Sequence, residues 1–307
     1  GAMAGADALR SLGDLRWAAG DLTGAAECYE RVLKVTDAHR LCDGPEPAAI
    51  LWRIARVECA RGQFRSAAER LERADSMFRS SGTDRTHEAA KAKTQLGVAR
   101  LEQGHIDQAL QCFLAAQDVF KAHGMSTCLD AAEIQARLGQ AYFLKGALDS
   151  AEVQLTEAWD AHEAAGATRR PQAAEILRLQ GDLERQRGSF QGALEKYDQA
   201  AEVFRDTGCC GNNSAIVALI HKGDVLFQQG SLASAMAVLQ EAWQNCHEHQ
   251  LDRTPLGADV LRRKGNIYRY RDEDEQALTV LFRAQGLYAV AGMEQTRDAA
   301  ETLRLIA

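Results

Sequence analysis

One spacing dominates this chain of 307 residues. Gly20, Gly62, Gly104, Gly146, Gly188 and Gly230 stand 42 residues apart, and the next step lands on Asp272. Seven units in one phase, with no insertion or deletion, predict a stack of like elements rather than two unrelated globules. Other columns keep the phase. Five residues after each of these positions comes Ala25, Ala67, Ala109, Ala151, Ala193, Ala235 and Ala277. Nine after comes an apolar or aromatic residue, from Tyr29 and Leu71 to Leu281. Apolar steps of three and four along one face predict an amphipathic helix.

A second helix precedes each turn. Seven residues upstream stand Gly13, Ala55, Gly97, Gly139, Gly181, Gly223 and Gly265. Glycine inside a helix costs roughly 0.5–1 kcal/mol against alanine, so its recurrence predicts close backbone contact between helices. Gly82, Gly124, Gly166, Gly208 and Gly292 suit the left-handed residue that closes a helix. Arg40 and Gln250 take that place in the other two units. Pro171 and Pro255 suit a first helical position, and Thr86 and Thr296 suit N-caps. Each unit is expected to be two antiparallel helices of about 17 residues, allowing roughly four residues for each connection. Only four prolines occur, at 45, 47, 171 and 255. That scarcity suits an all-α chain, because proline costs about 3 kcal/mol inside a helix.

The spacing of Gly97, Gly104, Ala109, Phe113 and Ala116 resembles the tetratricopeptide repeat. The usual repeat of that family is about 34 residues. The longer form here is similar to kinesin light chain-like adaptors. The resemblance implies an all-α, right-handed superhelical solenoid of about seven helix-turn-helix units plus a C-terminal helix. Residues 1–5 read as a cloning scar and lead-in, 6–299 as the seven units and 300–307 as the start of an eighth. Both ends read as cut from a longer protein. The resemblance further implies first helices that line a concave, peptide-binding groove, with no chemistry and no cofactor of their own.

Ten and nine residues before the turn, two adjacent columns hold six arginines and a histidine, and no acid. Arginine grips carboxylates through a planar fork. The candidate partner-binding residues are Trp52, Arg53, Arg56, Arg137, Phe143, Arg178, His221, Phe227, Arg262 and Arg263. With Trp17, they describe a groove for an acidic, partly apolar segment of another protein. The other reading is self-pairing. Asp7 with Arg10, Glu133 with Arg137, Glu175 with Arg178 and Asp259 with Arg263 lie three or four residues apart, and Asp182 and Asp224 are available from neighbouring helices. The asparagine ladder of kinesin light chain repeats is absent from this column, so their cargo preference does not carry over.

The net charge of −7 argues against nucleic acid as the main partner. No apolar run reaches the ~20 residues that span a membrane. The eight cysteines are scattered without a CxxC pair, which reads as an intracellular, cytoplasmic and reducing setting, with cytoskeletal association implied by the adaptor resemblance. Cys246-His247-Glu248-His249 has metal-ligand residue types, yet Cys246 falls in a core column and no metal is expected. Cys209-Cys210 reads as a loop with two thiols. GxxxxGK[ST], GxSxG and HExxH are all absent. The expected function is a non-catalytic scaffold or adaptor. The alternatives are a self-associating architectural array, or the regulatory array of a larger enzyme.

Overall fold

A computed structural model describes residues 2–38 and 44–307. Among these residues there are fifteen helices and no strand. They are α1 (Ala2–Ala18), α2 (Leu22–Ala38), α3 (Pro45–Ala60), α4 (Phe64–Ser80), α5 (His87–Glu102), α6 (Ile106–Ala122), α7 (Leu129–Lys145) and α8 (Leu148–Ala164). There follow α9 (Pro171–Gln186), α10 (Phe190–Asp206), α11 (Asn213–Gln228), α12 (Leu232–Glu248), α13 (Pro255–Tyr270), α14 (Asp274–Val290) and α15 (Arg297–Ile306). Packing divides the chain into two compact units, residues 1–161 and 162–307. Within each unit, first helices lie against second helices as hairpins, and each second helix touches the first helix that follows. First helices also touch one another, as α3 does α5 and α11 does α13.

The turn column behaves as the spacing predicts. Its glycines all have positive φ, between +75° and +81°. Asp272 adopts the same left-handed backbone at φ 59° without glycine's freedom. The helix-closing column does likewise, and Gln250 joins it at φ 60°; Arg40 lies outside the described residues. Pro171 and Pro255 open α9 and α13. Thr86 and Thr296 accept hydrogen bonds from the amides of Ala89 and Ala299, which caps α5 and α15.

The recurring glycine of the first helix has a different reason from the one expected. It makes room for a side chain of the partner helix, not for its backbone. A Cβ on Gly13 would lie 2.5 Å from Tyr29 Cε1, one on Gly97 2.5 Å from Phe113 Cε1 and one on Gly181 2.6 Å from Tyr197 Cε1. Gly139, Gly223 and Gly265 make the same room for Leu155, Leu239 and Leu281, and Ala55 takes the place in the second repeat, where it and Leu71 are fully buried. The missing Cβ lets a large side chain of the second helix, ring or leucine, be buried against the first, and that burial offsets a helix penalty.

Candidate functional site

The first helices carry the expected arginines, and the fold supplies them with acids. The acid stands six residues before one turn and its base nine before the next, 39 residues later. Asp14 Oδ1 accepts from Arg53 Nε at 3.2 Å. Asp182 Oδ1 and His221 Nδ1 lie 2.5 Å apart. Asp224 Oδ1 accepts from Arg263 Nε at 2.7 Å. Stacking successive first helices side by side brings these two columns together.

In the first unit, Arg53 also donates to Glu88 Oε2 at 3.1 Å and to the Ala49 carbonyl at 2.8 Å. Trp52 is buried and donates its indole N–H to the same Glu88 oxygen at 2.7 Å. Arg56 lies between two indoles, 4.2 Å from the Trp17 ring centre and 5.1 Å from that of Trp52. Its nearest carboxylate oxygen, on Asp14, is 3.8 Å away. Burial lowers the Arg56 pKa below the usual arginine range. Cation–π contact with both rings offsets part of that cost.

In the second unit, Arg178 is buried and donates to Asp182 Oδ2 at 2.7 Å. Glu175 is 4.0 Å from the same guanidinium. The Tyr197 hydroxyl donates to Asp182 Oδ1 at 2.7 Å. Burial alone would raise the Asp182 carboxyl; His221, Arg178 and the Tyr197 hydroxyl override it and hold it below the usual carboxylate range. Arg262 is buried too, with Asp259 at 2.7 Å, Glu301 at 3.1 Å and Asp298 at 3.2 Å. Arg263 also pairs with Asp259. Burial would lower its pKa, but Asp224 and Asp259 push it above the usual range.

The remaining candidates lie apart from these clusters. Arg137 donates to Gln140 Oε1 at 3.1 Å, and Phe143 is half-buried near the end of α7. Phe227 meets Tyr270 edge-on, with ring centres 4.8 Å apart. The two rings, with Gln228, Gly230 and Leu232, line a cleft of about 430 Å³. Tyr270 is 67% exposed. Sequence reasoning missed Tyr270, Asp14, Glu88 and the tyrosines that reach the acids. An acid followed 39 residues later by a base is the signal that finds Asp14.

Cys246 is fully buried in the core with Ile216 and Val260, and burial pushes its thiol up to about 11. Among the described residues no group of three His, Cys, Asp or Glu side chains is placed to hold a metal ion. Cys209 and Cys210 are half-buried, their thiols near the carbonyls of Thr207 and Phe204. Cys42 lies outside the described residues. No described helix is long and apolar enough to cross a membrane.

Tetratricopeptide repeat models match residues 5–80, 94–168 and 157–206. No protein of curated function matches the chain in sequence. Among solved structures, a tetratricopeptide repeat protein from Parabacteroides merdae is 16% identical, with 98% of each chain covered and a TM-score of 0.61. NprR, solved in complex with its cognate peptide NprX, is 13% identical over 98% of this chain and 82% of its own, with a TM-score of 0.68. Kinesin light chain TPR-like repeats from Podosopora anserina are 13% identical over 66% of this chain and 96% of theirs, with a TM-score of 0.54. At these identities the likeness speaks for the fold alone. The family models span most of the chain, and the helix pairs follow their repeat throughout: this chain belongs to the tetratricopeptide repeat family.

Proposed function

We propose that the chain is a non-catalytic protein-interaction scaffold that holds a segment of a partner protein against its first helices. The observation that carries this reading is the cleft of Phe227 and Tyr270, an opening lined by two aromatic rings. Exposed aromatic side chains at a cleft are the usual anchors of an interface. The held segment carries an apolar or aromatic residue for this cleft. Its acidic groups reach Arg263 only by exchange with Asp224 or Asp259. Such an exchange leaves a largely shielded aspartate without its cation, so it adds no affinity. Affinity therefore comes from the apolar anchor, and the charges set the position of the segment. NprR, a protein of like fold, was solved with a bound peptide, which supports the same mode here. Seven free thiols among the described residues fit a reducing, cytoplasmic setting.

Panning a random peptide library on this chain and on a Phe227→Ser/Tyr270→Ser variant tests the reading. Peptides that share an apolar or aromatic position are expected on the first and lost at least tenfold on the second. Equal enrichment on both overturns it.

A further inference from the structure

Beyond that reading, the linker between α10 and α11 departs from four others of the array. In those four, the residue after the left-handed position donates its amide to the last turn of the preceding helix. Thr83 donates to the Phe78 carbonyl at 2.8 Å, Met125 to Phe120 at 2.9 Å, Leu251 to Cys246 at 2.7 Å and Met293 to Tyr288 at 2.9 Å. Cys209 does the same to Phe204 at 2.8 Å. The Cys209 carbonyl then accepts from the Asn212 amide at 3.0 Å, as that of Thr83 does from Thr86 at 3.1 Å. The backbone of the linker therefore closes on itself equally well with threonine, methionine or leucine at this place. The residue that follows is Asp84, Ser126, Asp252 or Glu294 in the four, and Cys210 here. The fold of the linker requires neither thiol, and no other two cysteines of the chain are adjacent.

Both thiols gather at one helix end. Cys209 Sγ donates to the Thr207 carbonyl at 3.6 Å and Cys210 Sγ to the Phe204 carbonyl at 3.9 Å. These carbonyls are three residues apart, about 4.5 Å along a helix. An S–H is a weak donor, so both thiols are held in place yet readily given up. Each is half-buried. The imidazole of His249 packs on Gly211, so close that a Cβ there would collide with it, and walls the loop on that side. Among the described residues no three metal-ligating side chains converge. A centre that needs three or four protein ligands therefore does not fit this loop, whereas one that takes two sulfurs does. We propose that Cys209 and Cys210 form a binding site for a trivalent organoarsenical, a thiophilic centre whose third position is filled by carbon. With an arsine oxide, two S–H bonds break and two As–S bonds form. The oxide oxygen leaves as water with both protons, and arsenic stays trivalent, so the step needs no oxidant or reductant.

The test adds one equivalent of phenylarsine oxide to the whole chain in an excess of 2-mercaptoethanol, which strips arsenic from single thiols. Intact mass is expected to show one phenylarsenic group per chain, removed by 2,3-dimercaptopropanol, and peptide mapping to place it on Cys209 and Cys210. Cys209→Met and Cys210→Asp install residues that the other linkers hold at these places. Each should lower the retained adduct at least tenfold and leave the melting temperature unchanged. Cys128→Ser, at the N-cap of α7, should leave the adduct as it is. A wild-type chain that retains no arsenic overturns the proposal. So does an adduct that survives undiminished in either Cys209→Met or Cys210→Asp, because the sulfurs that hold it then lie elsewhere.

Discussion

Two clusters in this molecule are the same motif built 168 residues apart, four periods of the sequence. Gly13, Asp14 and Tyr29 in the first unit correspond to Gly181, Asp182 and Tyr197 in the second. In both, the tyrosine ring fills the space beside the glycine, and its hydroxyl donates to the acid at 2.7 Å. Arg53 in the first unit becomes His221 in the second, Arg56 becomes Asp224 and Trp52 becomes Ile220. The consequence lies in solvation. The Asp14 side chain is 43% exposed and that of Asp182 only 4%. One carboxylate is a surface partner, and the other sits in the interior with Arg178. The difference teaches that a repeat conserves its packing geometry while its neighbours decide how wet a charge is.

The largest test of this comparison removes the acids. Asp182→Ala should destabilise the chain by about 3–5 kcal/mol, because it leaves Arg178 buried without its nearest anion. Asp14→Ala should cost about 1 kcal/mol, since water reaches the groups it leaves. Urea unfolding of both variants checks the contrast, and equal losses break it. Acid sharpens it. The Asp182 pKa is held below its unfolded value, so its contribution is present above the ordinary carboxylate range, about pH 4, and is lost as pH falls through the folded value. The stability gap between the wild type and Asp182→Asn should therefore close below about pH 4, followed by thermal melting across pH.

A smaller effect should be common to both clusters. A methyl group on Gly13 or Gly181 would stand 2.5 or 2.6 Å from a tyrosine ring carbon. Overpacking costs about 1–3 kcal/mol, against a helix-propensity gain of about 1 kcal/mol for alanine. Gly13→Ala and Gly181→Ala should thus each lose up to about 2 kcal/mol in melting experiments. A loss at only one of them would show that the packing, too, differs between the clusters.

The hydroxyls come next. Tyr197→Phe should cost about 1–2 kcal/mol and Tyr29→Phe about 0.5–1 kcal/mol, measured by urea unfolding, because only the former hydrogen bond is shut away from water. The smallest signal is spectroscopic. Burial and the neighbouring carboxylate push both phenols above the usual tyrosine range. Neither substitution should change the tyrosinate absorbance step near pH 10 while the protein remains folded.

Much of the fold was legible in advance. The period placed every turn, the alanine columns marked the core, and the glycine and proline positions marked helix ends, because each depends on local backbone geometry and face periodicity. The reason for the first-helix glycine was not legible, since it depends on which side chain of the next helix points into the gap. Among the site residues, Arg53, Arg178, Arg262 and Arg263 were visible as a column of cations. Their partners were partly visible. The acids three or four residues away on the same helix could be read by eye, whereas Asp14 and Glu88 lie on other helices. Tyr270 stood in a column with no aromatic pattern, so its contact with Phe227 had no signature along the chain.

By itself, then, the sequence determined the repeat, its length, the helix–turn–helix unit and the family, because all four follow from spacing along one chain. Only the tertiary structure decided which charges are spent inside the molecule and which apolar residues stay open. Asp14 and Asp182 hold the same place in the repeat, as do Leu12 and Ile54, yet the first of each pair is open and the second buried. Burial is a property of what packs on a surface, and that depends on helices that lie elsewhere in the chain.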